Sequence, residues 1–298
     1  MDRRPMLQVP RSRHRRAGAA TRLDADAPRF VMWKLRSLEL HETVRRGSSF
    51  SRHKAGAGSM QVTTPFIRKL EHAGPLTDEE RSVLLSLTTT SRSVSARQDI
   101  VLEHQTDTIP LVLSGVAGRY KVLVHGTRRI VSFALPGDLC RVHPAATGAL
   151  DLRVAALTAC HVSDISQVKL REAIDAYPGI SRALWWLTLT ELSRAREWLV
   201  NDSRPADRRL AHHFCELLVC LQAVGLAGEN SFELGIAQAD YADALGISYV
   251  HVNRVMQALR SNGMISTGKH LLILPDVERI KEFAEFDPGY LCLDGLGL

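Results

Sequence analysis

Between Ser248 and Gln257 the chain gathers Ser248, Tyr249, His251, Asn253, Arg254 and Gln257, a dense run of hydrogen-bonding side chains. Val252, Val255, Met256 and Leu259 recur at helical spacing among them and claim one face of a helix. Tyr249, Val250, His251, Asn253, Arg254 and Gln257 are left on the opposite face. A guanidinium such as that of Arg254 can donate two parallel bonds to guanine O6 and N7, and the carboxamide of Asn253 or Gln257 can do the same with adenine. Ser248, Tyr249 and His251 fall at the helix N-terminus, where free N–H groups and the helix dipole favour a phosphate. Gln238 before this helix and Lys269 after it are further candidate DNA contacts, Lys269 placed to reach the backbone. The competing reading is plainer: these are the solvated residues of an ordinary helical hairpin.

The flanking pattern says how such a helix is held. Gln238 to Leu245 reads as a short helix with Ala239, Ala242 and Leu245 on one face. Gly246 supplies a turn that tolerates positive φ, and Ser248 caps the second helix. Asn262-Gly263 ends it. Met264-Ile265, Gly268-Lys269 and Leu271 to Leu274 read as a two-stranded wing. Two helices joined by a glycine turn, the second with a polar face, form a helix-turn-helix whose second helix fits the DNA major groove.

Upstream, Thr77 and Glu80 make a capping-box pair that starts a helix. After Ser91 the period falls towards two. Ile100 to Leu102, Leu111 to Leu113, Val116 to Val124, Arg129 to Leu135 and Arg153 to Ile165 read as short strands broken by glycine and proline, the pattern of a small barrel or sandwich. Gln167 to Ala176 is a short helix and Pro178 to Val200 a long one. Trp185, Leu189, Leu192 and Leu199 form a stripe along it, either a dimer seam or a face packed on its own barrel. Trp186 and Trp198 lie off that stripe, so the helix is expected to bury more than one face. Asp207 to Val224 is a further helix.

The 298 residues hold 38 Lys/Arg and 32 Asp/Glu, a formal charge of +6. Residues 1–59 contain 14 of the basic and 5 of the acidic residues, which leaves 24 against 27 for the rest. The basic character therefore belongs to the first fifth of the chain. That stretch, with Arg11, Arg13, Arg15 and Arg16 and the run AGAGS, has the composition of a disordered arm. It is read as a tail for phosphates or acidic lipid, as a segment with no specific role, or as sequence upstream of a true start at Met60. The five cysteines show no CxxC spacing, which argues against a disulfide scaffold or zinc finger. Without an apolar run long enough to span a membrane and without a signal h-region, the expectation is a cytoplasmic protein. No nucleophile elbow, P-loop, HExxH or paired carboxylates point to an enzyme.

The succession of strands, long helix and wing resembles the Crp/Fnr family of bacterial transcription regulators over Phe66 to about Phe286. The resemblance rests most on QADYADALGISYVHVNRVMQALRSNGMIS (Gln238–Ser266), supported by LSGVAGRYKV (Leu113–Val122), RRIVSFALPGDL (Arg128–Leu139) and ALTACHVSDIS (Ala156–Ser166). It implies an α+β fold. An N-terminal double-stranded β-roll of the cyclic-nucleotide-binding-like jelly-roll type is followed by a long dimerisation helix and a C-terminal winged helix. The corresponding segments are an extension at 1–59, a sensor domain at 60–177, the long helix at 178–201, the DNA-binding domain at 205–286 and a tail at 287–298. The implied function is that of a homodimeric regulator binding a palindromic operator on double-stranded DNA, with RNA polymerase as a further partner. The alternative is a sensor or scaffold of the same fold without DNA binding.

The resemblance also implies an effector pocket around Gly137, Asp138 and Leu139, the Pro-Gly-Asp turn. Where cyclic-AMP-binding members carry an Arg-Ser pair for the phosphate, this chain has Leu150-Asp151, and a carboxylate there repels a phosphate. Asp138 can take the ribose-binding role, and Arg153 stands near as a substitute cation. The helix positions that contact the base fall at Arg194-Ala195. Cyclic AMP is therefore not the expected effector. No cysteine precedes Cys140, so the iron–sulfur ligands of the oxygen-sensing branch are missing, and no metal or other cofactor is expected. Tyr249 and Val250 replace the early Arg and Glu with which cyclic-AMP members read their site, so the DNA sequence read should differ.

Overall fold

A computed structural model describes residues 64–101, 107–141 and 152–295. The readings placed on 1–59, Leu150 and Asp151 lie outside the described residues.

Thr64 caps α1 (Pro65–Glu71). Helix α2 (Asp78–Leu87) opens with the expected reciprocal capping box, Thr77 and Glu80 each accepting from the other's backbone N–H. Seven strands follow: β1 (Ser91–Val94), β2 (Asp99–Val101), β3 (Thr108–Ser114), β4 (Ala117–Val122), β5 (Arg128–Ala134), β6 (Arg153–Ala156) and β7 (Cys160–Ser166). They form two antiparallel sheets, ordered β1-β7-β3 and β2-β6-β4-β5. Val112, Ala117, Ala134, Cys140, Val154 and Val162 are buried together between them, as the inner faces of a roll require.

Ser166 caps α3 (Gln167–Ala176), and Pro178 starts α4 (Pro178–Asn201), where its missing N–H costs nothing. Helix α4 buries Ile180, Ala183, Trp186, Leu187 and Trp198, so it does pack more than one face. The next helix is α5 (Ala206–Ala223). Phe133 of β5 meets Trp198 of α4 edge-to-face, with centroids 5.4 Å apart, and meets Tyr241 at 6.0 Å. Roll, long helix and C-terminal helices thus share one aromatic junction.

The C-terminal region contains β8 (Ser231–Glu233), α6 (Gln238–Leu245), α7 (Tyr249–Ser261), β9 (Ser266–Thr267), β10 (Leu271–Ile273) and α8 (Val277–Ala284). The wing differs from the two strands expected. Its sheet is three-stranded, β8-β10-β9, because Phe232 of β8 is buried opposite Leu272. A three-residue strand offers too short a pattern to stand out in the sequence. Helix α8 was also not anticipated. Asp276 caps it, and Ile280 and Ala284 are buried.

Residues 288–293 are part of the fold. Pro288–Leu291 forms a 3-10 turn with Leu291 buried. Trp186 Nε1 donates to the Cys292 carbonyl at 2.9 Å, and a ring nitrogen of His72 lies 2.8 Å from the Leu293 carbonyl. No helix among the described residues is long and apolar enough to cross a membrane.

Candidate nucleic-acid interface

Helix α6 ends at Gly246, which has φ 64° and ψ 33°. A side chain there would be strained and would have to displace the Arg129 guanidinium, so glycine is favoured at this turn. Ser248 then caps α7, its hydroxyl accepting from His251 N at 3.2 Å. The back face of α7 is closed: Val252, Val255, Met256 and Leu259 are all buried. Tyr249, Val250, His251, Arg254 and Gln257 are exposed, as are Ser248 and Lys269.

Asn253 stands apart from this set. It is half-buried, and its Nδ2 donates to Gln238 Oε1 at 3.0 Å. The two carboxamides pin the start of α6 to the middle of α7, which commits a group that the sequence offered as a base reader. Arg254 makes no hydrogen bond or ion pair among the described residues, whereas Arg260, one turn and a half further on, donates to Thr267 Oγ1 at 3.2 Å. The guanidinium of Arg254 is therefore the free fork on this face. Helix α7 has no acid in its first turn, so its own first turn sets no carboxylate against a polyanion.

The roll grips the helix-turn-helix from behind. Arg128 of β5 donates through Nε to Asp243 Oδ2 at 2.6 Å and through a terminal nitrogen to Asp240. Both acids lie on α6. Arg129 beside it pairs with Asp202 at the end of α4 at 2.7 Å.

The expected effector residues divide. Gly137, with φ 93°, forms the turn, and a Cβ there would press on the Pro65 carbonyl. Asp138 faces inward: its carboxylate accepts from Leu135 N at 2.9 Å and pairs with Lys69. Burial pushes the Asp138 carboxyl up, but Lys69, Arg194 and Arg119 outweigh it and hold the group below the ordinary range. Asp138 is thus enclosed by the protein's own cations, not turned out towards a ribose. Leu139 is buried. Arg153 is exposed, opposite Tyr120 in the sheet.

Arg194 is buried and lines a cavity of about 420 Å³ between β5 and α4, together with Arg119, Ser132, Glu191, Trp198 and Leu199. Arg119 was missed in the sequence. It donates to the Leu139 carbonyl at 2.6 Å, the Cys140 carbonyl at 3.0 Å, Ser132 Oγ at 3.1 Å and Glu191 Oε1 at 2.6 Å. It ties the turn to the long helix. The available signal was an arginine amid the apolar residues of a strand.

On α4, Trp185, Leu192 and Leu199 are 57%, 47% and 73% exposed, and Leu189 is half-buried. The roll does not cover the stripe.

A β-roll, a long connecting helix and a winged helix-turn-helix with a free guanidinium on its second helix make up the architecture of Crp/Fnr-type transcription regulators, to which this chain is similar. Residues 208–283 match the Crp-like helix-turn-helix domain. The chain is 27% identical over 216 residues to the transcriptional activator protein FnrL of Cereibacter sphaeroides, spanning 70% of this chain and 86% of that protein. It is 29% identical over 222 residues to the nitrogen fixation regulation protein FixK of Bradyrhizobium diazoefficiens, spanning 73% and 85%. Among solved structures it is similar to FixK2 from Bradyrhizobium japonicum, with a TM-score of 0.56 and 25% identity over 65% of this chain and 96% of that one.

Proposed function

We propose that the chain is a sequence-specific transcription regulator that binds a palindromic operator as a homodimer, each copy inserting α7 into a major groove. The observation that carries this reading is the division of α7. Four apolar residues are buried behind it, while Arg254, Gln257, Val250 and His251 stand uncovered and Arg254 has no partner among the described residues. A guanidinium left free on a helix capped for groove entry is suited to bidentate base contacts. Residues 230–275 balance Arg254, Arg260 and Lys269 against Glu233, Asp240 and Asp243. Recognition therefore rests on placed donors, not on a basic field.

Dimerisation is supported by the uncovered stripe Trp185, Leu192 and Leu199 on α4, since a two-fold operator asks for a two-fold protein. The effector, where one acts, belongs in the cavity beside Arg194. The Nε of Arg194 is buried there without a hydrogen-bond partner among the described residues, and a buried unsatisfied donor favours an incoming acceptor. Cyclic AMP does not suit the site, because Asp138 and Arg119 are already committed internally.

Selection of the full chain on random duplexes tests the reading. It should return two inverted half-sites with centres about one helical turn apart. Absence of any enriched duplex would favour a sensor or scaffold without DNA binding.

A further inference from the structure

Val250 is 64% exposed in the first turn of α7 and belongs to none of the buried clusters of the described residues. It lies four residues before Arg254, so the two side chains are neighbours on one face. A β-branched side chain in a helix has essentially one rotamer. Val250 is therefore a stiff apolar knob fixed beside a free guanidinium. None of those clusters uses it, and the first turn of a solvated helix favours acids or capping residues over valine.

The edges of base pairs in the major groove offer hydrogen-bond donors and acceptors and a single apolar group, the C5-methyl of thymine. Four residues of helix rise about 6 Å, and successive base pairs are about 3.4 Å apart. We infer that Val250 packs against the methyl of a thymine roughly two base steps from the guanine held by Arg254. Val250 then acts as a specificity-determining residue. The inference rests on the DNA-binding reading above and adds one base to the half-site.

The full chain is first selected on random duplexes, and the recovered operator is then remade with deoxyuridine in place of the thymidine concerned, which deletes only the methyl. The wild-type protein should lose about four-fold in Kd per half-site, the value of roughly one buried carbon. Val250→Ala should bind the two duplexes alike, while Arg254→Ala should weaken both. A recovered half-site without a thymine two steps from its fixed guanine overturns the inference and leaves DNA binding intact. So does an unchanged wild-type Kd on the uridine duplex, or a Val250→Ala protein that still discriminates. Failure to recover any duplex removes the DNA-binding reading, and the inference with it.

Discussion

Arg194 on the long helix and Glu216 on α5 form an ion pair of 2.9 Å, with side chains only 7% and 1% exposed. Arg194 also lies 3.9 Å from Asp138 in the turn of the roll. The Glu216 carboxylate accepts from Tyr290 OH at 2.7 Å and from Trp198 Nε1 at 3.2 Å. One polar chain thus runs from Lys69 through Asp138, Arg194 and Glu216 to the C-terminal turn. Burial alone would raise the Glu216 carboxyl, but the charge of Arg194 and the hydrogen bond from Tyr290 hold it below its ordinary range. The pair joins the cavity wall to the first helix of the DNA-binding domain.

Removing one partner strands a buried charge. Glu216→Leu is expected to destabilise the protein by about 3–5 kcal/mol, whereas the double replacement Arg194→Met with Glu216→Leu should recover most of the loss. Urea unfolding of the two variants checks this. A double variant no more stable than the single one would contradict the assignment.

His213 lies beside this pair. Burial lowers its pKa to about 4, against an ordinary 6.5, with Glu216 acting the other way and His212 and Arg209 adding to the depression. The folded protein therefore holds it neutral, while the unfolded chain takes up a proton below about pH 6.5. Its contribution is present above pH 6.5 and is lost between pH 6.5 and about 4, by about 3 kcal/mol in all. His213→Phe should flatten the stability profile in that window, read by thermal unfolding across pH.

Arg128 clamps α6 through Asp240 and Asp243 with a side chain 28% exposed. Hydrogen bonds to charged groups contribute about 1.5–3 kcal/mol each, less when part-exposed. Arg128→Ala should speed amide exchange in α6 and at the β4–β5 turn, and leave exchange in β3 and β7 unchanged. Uniform protection in α6 would show that the clamp is not needed there.

At the interface, Arg254→Ala should cost about 1–3 kcal/mol per half-site and relax the preference at one base pair. Lys269→Ala should weaken all duplexes alike and reduce the salt slope by about one phosphate contact per copy. Titrations on operator and unrelated duplexes at several salt concentrations separate the two effects.

Leu192→Asp puts a charge in the exposed stripe of α4 without touching its buried face. On the proposed homodimer, sedimentation should show a dimer for the wild type and a monomer for this variant. A variant that still sediments as a dimer would place the contact elsewhere, and a monomeric wild type would overturn the homodimer.

The helix-turn-helix was legible because its signals are local. The apolar spacing of Val252, Val255, Met256 and Leu259, the cap at Ser248 and the glycine at 246 act within a few residues, and each stands where the pattern put it. The same holds for the capping box at Thr77 and the helix starting at Pro178. The third wing strand was not legible, because β8 is defined by its pairing with β10 and not by its own three residues. The C-terminal turn likewise takes its place from partners far back in the chain, Trp186 and Glu216.

The sequence by itself determined which residues of α7 face outwards, since helical period and apolar spacing leave no other arrangement. Only the tertiary structure decided which candidate residues, on α7 and in the roll, are free to act. Asn253 is spent on Gln238, Asp138 on Lys69, and Arg194 on Glu216, while Arg254 is left unpaired among the described residues. The reason is physical: a periodic pattern assigns a side chain to a face, but a charge is committed or free according to what lies within hydrogen-bond distance, and those neighbours come from segments up to 69 residues away.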